Sequence, residues 1–200
     1  MKLQTLIIYL TAIMLSVPAR GQLAPKGQTI AVKSNLLYDA TASINLGIET
    51  DLSLKWTAEL SGNINAWDMS HGRKWKHWFI QPEARYWFCD HFAGHFVALH
   101  AIGGKYNMGG LNNSISILGA DFSKLSDSRY QGWFAGGGIA YGYALPIGVH
   151  WNIEGELGIG WIYTRYDRFE CAGCGKKAEE GKSKSFIAPT KAAVNLVYVF

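Results

Sequence analysis

Four groups of residues have types and spacings that chemistry could use. Glu154 and Glu156 stand two apart, so on a strand both carboxylates leave the same face, a spacing compatible with acid–base work. Asp68, Ser70, His71 and His77 crowd one short stretch and include the hydroxyl and imidazole of a nucleophile–base pair. Cys171 and Cys174 form a C-x-x-C beside Lys176 and Lys177; the nearby ammonium groups favour the thiolate and hence disulfide exchange. His91 and His95 are four apart, the spacing of a ligand pair on a helix.

None of the four carries a full catalytic or metal signature. A Ser–His pair needs a third group to orient the imidazole, and no such motif surrounds Ser70 and His71. A structural zinc site needs four ligands, and the remaining cysteine, Cys89, lies far from the C-x-x-C in the chain. Cys171 and Cys174 are therefore expected to close a small disulfide loop in an oxidising compartment, or to stay reduced in an anaerobe. His91 and His95 fall in a turn and read as interfacial polar residues. The expectation is a chain without catalytic residues, resident metal or cofactor.

The elements that position these residues read as strands. In the last twelve residues, Pro189–Phe200, the apolar Tyr198, Leu196, Val194 and Ala192 alternate with a set that includes Asn195 and Lys191. A period of two marks a strand with one apolar face and one face that tolerates charge. An aromatic terminal residue in mid-pattern suits the closing strand of a transmembrane barrel, with lipid against the outward face. Tyr198 and Phe200 are the expected C-terminal assembly signal.

Met1–Gly21 has Lys2, a largely apolar run over Leu6–Val17 and small residues at Ala19 and Gly21, the pattern of a cleaved secretory signal peptide. Residues 22–200 are then one barrel domain. Removing Lys2 and Arg20 takes the net charge from +4 to +2, too little and too dispersed for nucleic-acid binding. The chain holds 23 Gly, 8 Trp, 10 Tyr and 9 Phe but 5 Pro, a composition in which glycine permits curvature and aromatics line interfaces.

Period two predicts eight strands, at 30–38, 43–52, 56–67, 77–88, 95–106, 130–143, 150–166 and from 186 to the end, hence an all-β, antiparallel, up-and-down transmembrane barrel. Connections alternate between short and long. The long ones, 68–76, 107–129 and 167–185, all fall at one end. Pro82 removes a ladder donor, and a local bulge is expected there. Trp56, Trp87, Phe88, Phe92, Tyr143, Trp151 and Phe200 are assigned to one aromatic belt; Tyr38, Trp67, Trp78, Tyr106, Trp133, Trp161 and Tyr163 to the other. The inward set contains Lys33, Glu49, Glu59, Glu83, Arg85, Glu154, Glu156 and Lys191. Eight strands enclose only enough space for side chains, so these charges are expected to pair with one another around a small lumen.

Three segments carry a resemblance. Lys33-Ser34-Asn35-Leu36-Leu37-Tyr38-Asp39-Ala40, Asn45-Leu46-Gly47-Ile48-Glu49 and Gln81-Pro82-Glu83-Ala84-Arg85-Tyr86-Trp87 resemble an uncharacterised family of small outer-membrane barrels from Bacteroides-type bacteria. Members often accompany fimbrial genes, which implies an accessory role in fimbriae. The architecture is similar to the barrel of the OmpA and OmpX group. The resemblance implies a monomer in the cell outer membrane whose partners are lipid, the assembly machinery and fimbrial or other surface proteins. The expected function is non-enzymatic: surface adhesion, fimbria-associated assembly or envelope integrity. Two alternatives are an outer-leaflet lipid-modifying enzyme using Ser70 and His71, and a soluble lipocalin-like carrier.

Overall fold

A computed structural model of the chain describes residues 27–67, 74–110, 116–117, 120–121, 128–171 and 176–200. The elements are β1 (Ile30–Asn35), a short helix α1 (Leu36–Asp39), β2 (Ile44–Ser53), β3 (Trp56–Asn65), β4 (Lys74–Trp87), β5 (Gly94–Gly109), β6 (Ser116–Ile117), β7 (Ala120–Asp121), β8 (Arg129–Pro146), β9 (Trp151–Phe169) and β10 (Lys177–Val199). Eight of the strands close a ring in the order β1-β10-β9-β8-β5-β4-β3-β2, and β6 and β7 form a separate two-stranded ladder. All pairings are antiparallel between strands next to one another in the ring. The all-β, eight-stranded up-and-down barrel is the architecture.

Alternation sorts the side chains into two environments. Leu46, Ile48, Leu60, Ile80, Leu99, Ile139, Leu157 and Ile159 are exposed on the outer wall, while Lys33, Glu49, Glu59, Glu83, Arg85, Glu154, Glu156 and Lys191 are buried inside. The interior is layered. At the end that carries Ile30 and Val199, Trp87 packs on Phe96 with ring centroids 4.6 Å apart and on Phe92 at 6.3 Å, beside Ala31, Val197 and Val199. The charged side chains fill the middle. Beyond them Tyr38, Phe79, Phe134 and Tyr106 form a chain of ring contacts at 5.8–6.4 Å.

The two walls of the cylinder contribute unequally to this filling. Long charged side chains come from β2, β3 and β4 and, through Glu154 and Glu156, from the start of β9, whereas β8 and the next part of β9 present glycine. Gly138 and Gly160 are register partners, and a Cβ on Gly160 would lie 2.3 Å from the Gly137 carbonyl oxygen and 2.7 Å from the Gly138 Cα. The backbones curve too tightly there for any side chain. Gly142 likewise makes room for the Phe96 ring, which a Cβ would meet at 2.2 Å.

Several boundaries differ from the expected ones, each for a local reason. The first strand stops at Asn35 instead of Tyr38, because the Asn35 side chain accepts the Leu37 N–H at 3.1 Å and caps α1, a role in which asparagine competes well with strand pairing. Pro82 creates no bulge: β4–β5 pairing lapses between Ile80↔Gly103 and Glu83↔His100 and resumes in register. The bulge falls instead at another strand proline, between Pro189 and Lys191, so that Thr190 and Lys191 are buried consecutively. Trp87, Phe92 and Tyr143 are buried and do not join an outer belt. Trp87 shares the inward parity of Glu83 and Arg85, and Phe92 is held under the barrel by a backbone φ of 63° and by Asn152 Nδ2 donating to its carbonyl at 2.7 Å.

The expected charged loop 167–185 is largely strand. β9 continues to Phe169 and β10 starts at Lys177, with register shifts at Lys177/Glu179 and Glu179/Lys182. Its charges pair across the hairpin: Arg168 with Glu179 at 3.2 Å and Lys177 with Asp167 at 2.9 Å. Polar sequence there hid a ladder whose hydrogen bonds are main-chain. The expected signal peptide, together with Asp68, Ser70, His71 and Cys174, lies outside the described residues.

The glycine wall yields the first prediction. Gly160→Val is expected to destabilise the closed barrel by about 3 kcal/mol or more through backbone overlap, abolishing the compact band of unheated samples on denaturing gels. Gly148→Ala, in a turn where the nearest atom to a Cβ is 3.9 Å away, should leave that band in place.

Candidate functional site

The register of β2, β3 and β4 creates the central problem of the interior. Glu49 faces Glu59 directly, and Glu59 faces Glu83. Like charges directly opposite on adjacent strands repel, and here they do so away from water. Arg85 resolves this. Its Nε lies 2.5 Å from Glu83 Oε1, Nη1 is 3.1 Å from Glu49 Oε2 and 2.9 Å from Glu154 Oε2, and Nη2 is 2.6 Å from Glu59 Oε2 and 2.8 Å from Glu156 Oε2. One planar guanidinium with five N–H donors thus touches all five carboxylates.

Two lysines divide the same carboxylates between them. Lys33 Nζ pairs with Glu49, with Glu59 at 3.1 Å and with Glu154 at 2.9 Å. Lys191 Nζ pairs with Glu59 at 3.2 Å, Glu83 at 2.8 Å and Glu156 at 3.3 Å. Lys33 comes from β1 and Lys191 from the bulge in β10, so the cations enter from the strands on either side of the barrel seam. Neutral donors complete the cluster: Thr57 Oγ1 donates to Glu49, Trp87 Nε1 to Thr57 Oγ1 at 2.9 Å, and Asn195 Nδ2 to Glu154 Oε1 at 2.8 Å. The Arg85 guanidinium rests 4.5 Å from the Phe96 ring centroid, a cation–π contact in a dry environment.

Little free space remains beside the cluster. The cavity beside Lys33, Glu59 and Lys191 has a volume of about 30 Å³, room for one or two waters and for no substrate. Glu154 and Glu156, spaced as an acid–base pair would be, each turn Oε2 to the cations, while Glu154 Oε1 accepts from Asn195 and the buried Glu156 Oε1 has no hydrogen-bond partner among the described residues. Among the described residues no group of three or more His, Cys, Asp or Glu is placed to hold a metal ion.

The other expected residues fall at the two rims. Tyr198 packs on Phe200 at 4.8 Å and on Trp151 at 4.9 Å, and the Phe200 N–H donates to the Ile30 carbonyl at 2.8 Å, fastening the last residue to the first strand. Cys171 is in a disulfide at the tip of the β9–β10 hairpin, and Cys89 is free and exposed at the opposite end. His91 lies in the β4–β5 turn, whereas His95 belongs to β5 and its Nδ1 is 2.6 Å from the Tyr141 hydroxyl; the two are not a ligand pair. His77 Nε2 is 2.7 Å from Asn63 Oδ1. Sequence reasoning missed His100, buried with its Nε2 2.8 Å from Thr190 Oγ1 and its Nδ1 3.8 Å from Glu83. Its inward parity relative to Phe96 and Ala98 was the available signal.

The network gives the second prediction. Arg85→Met removes the group that touches all five carboxylates and is expected to cost about 3–5 kcal/mol, read as a shift in the urea midpoint of the refolded barrel. Adding Glu59→Gln and Glu154→Gln to that variant should recover part of the loss, because fewer unpaired carboxylates remain inside.

The chain belongs to the family described as Protein of unknown function (DUF3575), which it matches over residues 7–200. No curated protein and no solved structure matches it.

Proposed function

We propose that this DUF3575 chain is a non-enzymatic outer-membrane barrel that displays its far rim at the cell surface for adhesion, fimbria-associated assembly or envelope integrity. The observation that carries the reading is the outer wall. Large apolar side chains cover it between Trp151 and Phe200 at one level and Trp78, Trp133 and Trp161 at the other. Trp151 and Trp161 are ten residues apart on β9, which at about 3.3 Å per residue and a tilt of roughly 40° separates the belts by about 25 Å. That matches the apolar band of a barrel in lipid. In water such a wall of exposed leucine, isoleucine and tryptophan would be an aggregation surface.

The ion pairs that fill the middle of the cylinder favour a role at its rims over transport through it. β9 runs eight residues past Trp161 to Phe169, and β10 starts ten residues before Ile187. These strands raise a polar sheet well above the belt on one side, where surface proteins are the proposed partners; outer-membrane lipid is the partner proposed for the apolar wall, and the assembly machinery for Tyr198 and Phe200 at the other rim.

The test uses the full chain expressed in a Gram-negative host. It should stay in the membrane pellet after alkaline carbonate washing and require detergent for release. Protease added to whole cells should cut within 107–129 or 167–185. The purified barrel should give no stepwise conductance in planar bilayers. Release into the soluble periplasmic fraction without detergent would overturn the proposal in favour of a carrier.

A further inference from the structure

The outer wall carries a groove at the end away from Phe200, separate from the ion network. Its volume is about 650 Å³, and its lining includes the triplets 76–78 on β4, 105–107 on β5, 131–133 on β8 and 165–167 on β9. The middle residues, His77, Tyr106, Gly132 and Tyr166, face one another across the ladder and point into the barrel: His77 stacks on Phe79, and the Tyr106 hydroxyl is 2.8 Å from that of Thr164, itself buried. Their neighbours on either side therefore point out. A space that touches both flanks of an inward residue lies on the outside of the cylinder.

Two rows of side chains border the groove. Along the register the row nearer the apolar band is Trp78, Lys105, Trp133 and Arg165, and the row above it is Lys76, Asn107, Gln131 and Asp167. Cations and tryptophans thus alternate at the level of the distal belt, and amide side chains stand one step higher. The acidic groups here are already engaged: Lys177 Nζ lies 2.9 Å from Asp167 and 2.7 Å from Glu180. The Gly181 N–H, at 2.8 Å, and Lys177 hold the Asp167 carboxyl below its usual range. Among the described residues Lys105 and Arg165 make no ion pair. Among the described residues Lys105, Arg165 and Lys177 face Asp167 and Glu180, an excess of positive charge even with Lys76 left out.

We infer that this groove binds the phosphorylated sugar headgroup of an outer-leaflet glycolipid, with Lys105 and Arg165 on the phosphate. The inference rests on the outer-membrane reading and deepens it. The vertical order of the chemistry selects the class: an apolar wall for acyl chains, then Trp and cations at headgroup height, then Asn107 and Gln131 at the level of sugar hydroxyls. Arg165 supplies the planar fork that suits phosphate, and Lys105 a second positive charge two strands away. A free anion would use the cations and leave the wall beneath them bare.

The test reconstitutes the full chain in phosphatidylcholine vesicles containing diphosphorylated lipid A, or its dephosphorylated form with the same acyl chains, and measures by native mass spectrometry the lipid retained on the released barrel. The wild type should retain the phosphorylated form roughly tenfold more, and Lys105→Gln/Arg165→Gln should lose roughly tenfold of that retention. Lys55→Gln, at the opposite end, should change nothing. Inorganic phosphate in excess should not displace the lipid. Equal retention of the two lipid forms, unchanged retention in the double variant, or displacement by inorganic phosphate would each overturn the inference. If the double variant yields no folded band, Lys105→Gln alone is measured against the same outcomes. Failure of the wild-type chain to enter vesicles at all overturns the outer-membrane reading itself, whereas insertion without headgroup preference overturns only this step.

Discussion

The structure depends on keeping five carboxylates together inside a cylinder too narrow for bulk water. Glu49, Glu59 and Glu83 are direct cross-strand neighbours, so the repulsion among them is built into the register and no rotamer choice removes it. A buried ion cluster adds little net stability over well-packed apolar residues, but leaving one member unpaired is expensive. That asymmetry makes the cluster a device for specificity. Slipping β4 by one residue against β3 would turn Arg85 to the outer wall and leave the carboxylates to repel one another.

The cluster also dictates where bulk can go. Arginine and glutamate side chains from β2, β3, β4 and β9 reach the axis, so the facing wall must be thin. Gly138, Gly158 and Gly160 supply that thinness; a Cβ on Gly158 would sit 3.0 Å from both Ala140 Cβ and the His100 ring. The seam between β1 and β10 shows the same economy. Asn35 ends β1, but its amide continues the ladder by donating to the Ala192 carbonyl at 3.1 Å and accepting the Val194 N–H at 3.3 Å. Past that point β10 pairs with β9 alone and carries Lys182, Lys184, two register shifts and finally Pro189, which has no N–H to leave unpaired. Charge, irregularity and proline are the features that stop an edge from recruiting other strands.

Legibility in the sequence followed the length scale of the forces. Alternation over β2, β3, β9 and the end of β10 is set by a difference between an apolar outer wall and an ionic interior that every second residue feels, so strand number, order and the inward charged set could be read directly. Features fixed by contacts distant in sequence could not. Trp87 reads as an interfacial aromatic until Phe96 and Thr57 are placed beside it. The β9–β10 hairpin past the belt reads as a loop because both faces meet water and no alternation remains. The bulge at Thr190 is invisible from Pro189 alone, since Pro82 has the same chemistry and produces none. What separates them is the neighbouring strand: β4 pairs with β5 in one register before and after Pro82, whereas Pro189 lies where pairing with β1 has already ended.

A barrel filled in this way separates its two surfaces. Aromatic side chains close the end nearest Phe200, the ion cluster blocks the middle, and rings from Tyr38, Phe79, Phe134 and Tyr106 cover the cluster from the far side. These layers lie in series between the two rims. Coupling between them would have to pass through the strands themselves, and the cross-braced centre, with one guanidinium holding side chains from β2, β3, β4 and β9, resists the shear such coupling needs. The cylinder is therefore a rigid mount. On the surface role proposed above, variation in the polar sheet it raises and in the charged row around its shoulder would alter recognition without disturbing the ion cluster that keeps it closed.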